Sequence, residues 1–394
     1  MTLSTKSRQE SLEVITERFC DKLAETVVER DERGGTAQTE RKALRRSGLL
    51  NLLIPEEWGG QGADWPQIYR LIRQISRTDS SIGQLFGFQQ LMLATIDLFG
   101  SIEQKQELYR RTVDGHWFWG NTLNPLDRGL TARWEADSLV LDGRKRFSTG
   151  SIDADALIIS APNPDNHQLL VAAVSLPREG ILPLDDWDNM GQRQTDSGTV
   201  EFRGVRINAS ELLRTPGPFG SIRASLRPCI AQLIFANVYL GIAEGAFQEA
   251  KAYVRANSRT WLLSGVTSKE QDPYILYHFG KQYAELEAAR LVTDRAAITL
   301  QHAWELAEMV SESERGRAAV DIATAKVVTT RTGLDVVNRM FEVMGASATS
   351  RARRFDRFWR NLRTYTLHDP VDYKLRELGE WALSDIPPRP TFYS

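Results

Sequence analysis

The sequence predicts a mainly α protein with a β-domain in its middle, and the pattern of apolar spacing along the 394 residues carries that prediction. Apolar positions recur at helical spacing through the first part of the chain. They then give way to short β-branched runs between turn residues, and long helical patterns return after residue 220. The layout is an N-terminal helical domain (1–120), a middle β-domain (121–212) and a C-terminal helical bundle (213–394). A chain of this length exceeds one small core.

In the first part, the apolar stripe from Leu12 to Val28 and the set Ile68, Ile72 and Ile75 predict helices. Between them Ile54-Pro55-Glu56-Glu57-Trp58-Gly59-Gly60 breaks the pattern with Pro and paired Gly and reads as a loop. A second break follows Leu98-Phe99-Gly100, where Ser101 with Gln104 three residues on forms a capping box for the next helix.

In the middle part, Leu139-Val140-Leu141 leads into Asp142-Gly143, which reads as a hairpin turn. Residues 156–161, 169–175 and 199–207 follow as further strands. In the last part, Ala319, Ala323, Val327, Thr330, Leu334, Val337, Phe341 and Met344 fall on one helix face. Gly345 then stands where a left-handed C-cap would end that helix. Long helices apolar on two sides predict a bundle whose leftover faces meet other copies of the chain. The tail Ile386-Pro387-Pro388-Arg389-Pro390 reads as extended.

Composition excludes several classes. A formal net charge of -2 gives no global attraction to nucleic acid or anionic membrane. Arg351, Arg353, Arg354, Arg357, Arg360 and Arg363 do interleave with Phe355, Phe358 and Trp359, a pattern able to bind single strands. Without a recognition motif, ion pairs at an oligomer interface or contact with a flavin phosphate explain the run better. The five histidines are scattered without metal-ligand spacing, so no metal site is expected. Cys20 and Cys229 are far apart and fit a reducing compartment, although one disulfide stays open. Met1–Lys6 shows no secretory h-region, and no stretch approaches the apolar length of a membrane span. The expectation is a soluble cytoplasmic protein.

The landmarks occur in the order of the acyl-CoA dehydrogenase superfamily, which the chain resembles along its whole length. Ile54–Gly60 resembles that family's N-terminal loop, and Leu98-Phe99-Gly100-Ser101-Ile102-Glu103-Gln104-Lys105 its "G-s-x-E-Q-K" turn. Leu141-Asp142-Gly143-Arg144-Lys145-Arg146-Phe147-Ser148-Thr149 resembles its "L-N-G-x-K-x-W-I-T" segment. The resemblance implies the acyl-CoA dehydrogenase fold: N-terminal helices, a β-barrel-like middle domain and a C-terminal four-helix bundle. It further implies a flavin beside Phe147 and Thr149, a phosphate contact at Arg259, a substrate pocket near Gln89, Leu93 and Trp119, and a homotetramer.

Other segments resemble the flavin-dependent monooxygenase branch, typified by dibenzothiophene monooxygenase. Trp119-Gly120-Asn121-Thr122-Leu123-Asn124-Pro125 replaces the dehydrogenase "T-E-P-G-x-G-S-D" loop, and its amides at Asn121 and Asn124 both donate and accept. Asp188–Gly198, with Arg193-Gln194-Thr195-Asp196-Ser197-Gly198, is also similar to that branch and reads as a turn fixed against the β-domain. The "G-G-x-G" loop that helps hold FAD is reduced to Gly345-Ala346-Ser347-Ala348, whose methyl groups crowd a pyrophosphate; this favours the shorter FMN over FAD. At Gln89 the sulfur-ring oxygenases are expected to carry His, so the substrate is expected to differ from dibenzothiophene.

The most telling departure is Leu367-His368-Asp369-Pro370, in place of the dehydrogenases' catalytic Glu-Gly. Asp before Pro reads as a helix cap followed by N1, with Asp369 also able to orient His368. His368, Asn121 and Thr149 are then the groups expected to serve an FMNH2-dependent monooxygenase. The resemblance implies oxygen transfer through a flavin C4a-hydroperoxide to a small sulfur, nitrogen or aromatic compound, with reduced FMN delivered by a separate flavin reductase. The competing readings are an FAD acyl-CoA dehydrogenase with its base moved to Glu244 or Glu249, and a non-catalytic flavin-binding protein on the same scaffold.

Overall fold

The structure is a computed structural model describing residues 11–257 and 259–394. The reading of Met1–Lys6 falls outside the described residues. Among the described residues five α-helices come first: α1 (Leu12–Arg33), α2 (Gln38–Arg46), α3 (Trp65–Thr78), α4 (Ser80–Phe99) and α5 (Ile102–Gly115). Their starts follow from local chemistry. Ser11 caps α1; Asp64 caps α3, with Pro66 in its first turn; Asp79 accepts from Ser81 N at 2.9 Å and Ile82 N at 3.2 Å to start α4. The capping box at Ser101 and Gln104 forms as its spacing requires. Of these helices α4 matters most for the site. It is buried almost throughout and runs through the main core, as an all-round apolar helix must.

Two sheets follow. A three-stranded sheet has the order β1-β4-β5, from β1 (Trp119–Thr122), β4 (Ala156–Pro162) and β5 (Leu169–Ser175); β1 pairs with β4 in parallel. A four-stranded antiparallel sheet has the order β2-β3-β7-β6, from β2 (Leu130–Glu135), β3 (Ser138–Lys145), β6 (Ile181–Pro183) and β7 (Val200–Asn208). They enclose a small core of their own, including Leu139, Leu157, Val174, Phe202 and Ile207.

Asp142-Gly143 is not the hairpin turn its residues suggest. Strand β3 continues through it, and the pairing with β7 shifts between Leu141 and Gly143, where Gly143 has φ 122°. The dipeptide forms a β-bulge, while the hairpin itself turns at Ala136, φ 52°. Both features need positive φ, so the sequence signal was real and its location ambiguous.

The chain then builds α6 (Leu226–Ala256), α7 (Pro273–Glu305), α8 (Glu312–Met344), α9 (Asp356–Tyr365) and α10 (Val371–Ser384). Helix α8 ends at Gly345 as expected, with φ 83° and ψ -178°, extended on the positive side rather than left-handed helical. By length and composition α6 does reach what a membrane span requires, contrary to the sequence-based expectation, but 83% of its apolar window is buried among the other helices. Gly241 and Gly245 let it approach α3 closely: a Cβ there would lie 2.5 Å from Arg73 O and 2.2 Å from Arg77 O. Cys20 and Cys229 are both buried and free.

The arginine run has its partners within this chain. Arg354 and Arg360 both bind Asp31 at the end of α1, Arg357 binds Glu249, and Arg360 also binds Asp356. These pairs fasten α9 to α1 and α6 within the chain, while Arg351 stands 87% exposed.

Candidate active site

Asp369 does not cap α10. The helix begins at Val371 behind Pro370, without any side-chain cap. The Asp369 carboxylate instead turns inward, where Lys326 Nζ donates to its Oδ1 at 3.0 Å, Gln232 Nε2 at 3.4 Å and His368 Nδ1 at 2.9 Å. A buried ammonium attracts a carboxylate far more strongly than solvated helix N–H groups do. Burial by itself would raise the Asp369 carboxyl, but Lys326 and His368 outweigh it and hold the group far below the usual carboxylate range. Lys326 sits fully buried on α8, its Nζ also donating to Gln232 Oε1 at 2.8 Å and lying 4.6 Å from the Phe235 ring centroid. Burial pulls the Lys326 ammonium down, against the pull of Asp369.

His368 is 38% exposed and packs its ring against Phe235, centroids 4.3 Å apart. Phe235 in turn meets Phe88 of α4 edge-on at 6.0 Å and Tyr365 at 4.9 Å. The His-Asp turn thus stands on an aromatic wall between α4 and α6.

One turn before Phe88, Gln84 reaches the other part of the site, with Nε2 3.5 Å from Thr149 Oγ1. Thr149 is buried, its hydroxyl 2.9 Å from Ser197 Oγ, and its carbonyl accepts from Asn121 N at 2.9 Å. This backbone hydrogen bond, from β1 to the turn that follows β3, brings Asn121 and Thr149 together. Asn121 Oδ1 accepts from Leu123 N at 3.1 Å, leaving its NH2 without a hydrogen bond among the described residues. Phe147, two residues from Thr149, is no inward strand residue: it has φ 55°, is 59% exposed and meets Trp187 edge-on at 6.1 Å. An open hollow of about 310 Å³ lies beside both rings, reaching Ser197, Gly198 and Thr199.

Segment 190–198 fastens this corner. Asp196 pairs with the fully buried Arg41, Gln194 accepts from Arg30 at 2.7 Å, and Gln192 accepts from Ser80 at 3.1 Å and Ser81 at 3.2 Å. It locks the β-domain to α1, α2 and α4.

Gln89, Leu93 and Trp119, expected near the substrate, are all fully buried. Gln89 donates to Leu50 O at 3.0 Å and Trp117 O at 3.2 Å and accepts from Trp119 N at 2.8 Å. Its amide completes the backbone hydrogen bonding around β1, with both N–H donors taken. Trp119 Nε1 is likewise bound, to Thr112 Oγ1 at 2.9 Å. Arg259 lies exposed in the loop after α6, with no ion pair among the described residues. Glu244 and Glu249 are held by Arg77 and Arg357 on the outer side of α6, which leaves neither as a free base.

The residues suit a flavin ring. Phe147 and Trp187 offer open apolar surface, Asn121 an unused donor, and Gln84 Oε1 is a buried acceptor beside Thr149 with no partner among the described residues. The Gly345 loop is wound into a 3-10 turn over 346–349 with Ala348 buried, which leaves no glycine loop for an adenosine diphosphate.

Comparison with known proteins bears this out. Residues 5–116 match the acyl-CoA dehydrogenase N-terminal domain, and residues 233–373 match the acyl-CoA dehydrogenase C-terminal domain. The chain is 50% identical over 381 residues to the probable FMNH2-dependent monooxygenase SfnC of Pseudomonas putida, covering 96% of each. Methanesulfinate monooxygenase MsuC of Pseudomonas fluorescens superimposes with TM-score 0.97 at 48% identity, over 98% of this chain and 100% of that one. The FMN-bound TdsC of Paenibacillus sp. A11-2 gives TM-score 0.92 at 42% identity, over 97% and 99%.

The chain belongs to the acyl-CoA dehydrogenase superfamily, in its branch of FMNH2-dependent monooxygenases. It is a flavin-dependent oxidoreductase whose cofactor is FMN.

Sequence reasoning missed Lys326 and Gln232. The signal for Lys326 was available: a lone lysine beside Val327 on a helix face otherwise made of Ala, Val and Thr. Such a lysine is rarely buried without a paired acid.

Proposed function

We propose that this chain is the oxygenase of a two-component system, taking reduced FMN from a separate flavin reductase and placing one atom of O2 on a small organosulfur compound. The observation that carries the reading is the His368-Asp369 turn. Where dehydrogenases of this fold carry a glutamate base, this carboxylate is neutralised by Lys326, so no free carboxylate base remains there. Support for the substrate class comes from the methanesulfinate activity printed for the similar MsuC.

Bound FMN supplies the two electrons that activate O2. The protein does the rest. Phe147 and Trp187 would supply the apolar surface against which the flavin packs, while Asn121 and Thr149 would offer it hydrogen bonds. His368 gives Nδ1–H to Asp369 and presents Nε2 outward, where it can hold or release the proton that leaves with water. We further propose a cytoplasmic homotetramer, because Leu262, Leu263 and Tyr274 are 91%, 81% and 77% exposed, apolar surface that other copies would cover.

The test supplies photoreduced FMN, 18O2 and methanesulfinate, and reads isotope in the product. One labelled oxygen per product is expected. Flavin bleaching by an acyl-CoA without oxygen, and no label in any product, would sink the reading in favour of a dehydrogenase.

A further inference from the structure

We infer that Lys326 is a positioning residue that sets the proton arrangement of His368, acting through Asp369. The inference rests on the reading of His368 given above, and the geometry carries it beyond that reading. Asp369 Oδ1 receives three donors, from Lys326 Nζ at 3.0 Å, His368 Nδ1 at 2.9 Å and Gln232 Nε2 at 3.4 Å. Gln232 cannot turn over, because its Oε1 accepts from the same Lys326 Nζ at 2.8 Å. An ammonium only donates, so it holds the amide and the carboxylate each in one orientation. The carboxylate stays ionised, His368 must meet it with Nδ1–H, and Nε2 is left to face outward.

The placement argues for a role beyond packing. Lys326 is fully buried on α8 against the faces of Phe235 and Tyr239, at 4.6 Å and 5.2 Å. An apolar residue would fill that place without the cost of desolvating a charge. Phe235 is also the ring on which His368 rests, so α6 joins the ammonium and the imidazole. The other titratable groups around the cluster are Tyr239 of α6, Tyr365 of α9, Lys374 of α10 and Tyr393 of the tail. Burial raises all three phenols, and Lys374 is bound to Glu377, so none competes with Lys326 for Asp369 near neutral pH.

The test uses the full chain labelled with 15N-histidine, free of flavin, with His368 assigned by loss of its signals in His368→Gln. The parent is expected to show His368 protonated at Nδ1 only, above the pH at which its ring charges. In Lys326→Met the carboxylate has only His368 left to neutralise it, so the conversion to imidazolium should move to higher pH. Lys326→Arg should retain the parental signals. If Lys326→Met does not fold, Lys326→Gln, which keeps a donor and removes the charge, is read in the same way. Unchanged His368 signals in a folded, uncharged variant overturn the inference. A shifted spectrum with unaltered product yield per FMNH2 supports the link from Lys326 to His368 and instead overturns the role of His368 in oxygen transfer.

Discussion

At the scale of single residues, the site turns on one carboxylate with an unexpected partner. Asp369 next to Pro370 has the local chemistry of a helix cap, yet its charge is spent on Lys326, 43 positions earlier in the chain. Two predictions belong here. His368→Ala should leave FMN binding intact while product per reduced FMN falls roughly 100-fold, the usual scale for losing a proton-transfer group; hydrogen peroxide should account for the missing oxygen, and unchanged coupling removes His368 from the mechanism. Asp369→Asn strands a buried ammonium and should cost about 3–5 kcal/mol in a urea titration. The sign with pH follows from the lowered carboxyl of Asp369. Its stabilising effect is fully present above the unfolded value of about 3.9 and is lost as pH falls toward the folded value. The stability gap between parent and Asp369→Asn should therefore narrow below pH ~4, and a gap that widens there contradicts the assignment.

At the scale of elements, close approach and buried pairing set the geometry. Helices α3 and α6 touch through Gly241 and Gly245, where an added methyl would meet carbonyl oxygens of α3. Gly241→Ala should lower stability by about 1–3 kcal/mol through overpacking, seen as a lower urea midpoint at constant slope. Because α6 also carries Gln232 and Phe235, the variant should disturb oxygen-transfer coupling as well as stability. The elements themselves were largely legible: α1, α3, α8, β5 and the capping box at Ser101 follow from period and cap chemistry. What misled was Asp142-Gly143, a signal for positive φ that serves a bulge as well as a turn. Gln89 misled for a related reason: nothing local shows that an amide on α4 will face the backbone of β1 rather than a ligand.

At the scale of the whole molecule, the β-domain and the helices are fastened around the site by buried ionic contacts. Arg41 with Asp196, Arg30 with Asp79 and the Asp31 cluster join segments far apart in sequence. Apolar surface is left on the loop after α6 and on α7, where Leu262, Leu263, Tyr274 and Leu291 stand exposed. Replacing Leu262 and Leu263 together by Ser should reduce the mass of the assembly in light scattering while helix content by circular dichroism stays the same. An unaltered mass would remove this loop from the interface.

The sequence by itself determined the order of helices, sheets and bundle, the absence of a dehydrogenase base at 369, and the reduced glycine loop after α8. Each is a matter of residue type at a known place along the chain, where period and local chemistry suffice. Only the tertiary structure decided the partners: Lys326 with Asp369, Gln89 with β1, Asp196 with Arg41. The reason is physical. A buried charge or amide takes whichever complementary group packing places within about 3 Å, and sequence spacing carries no information about that distance.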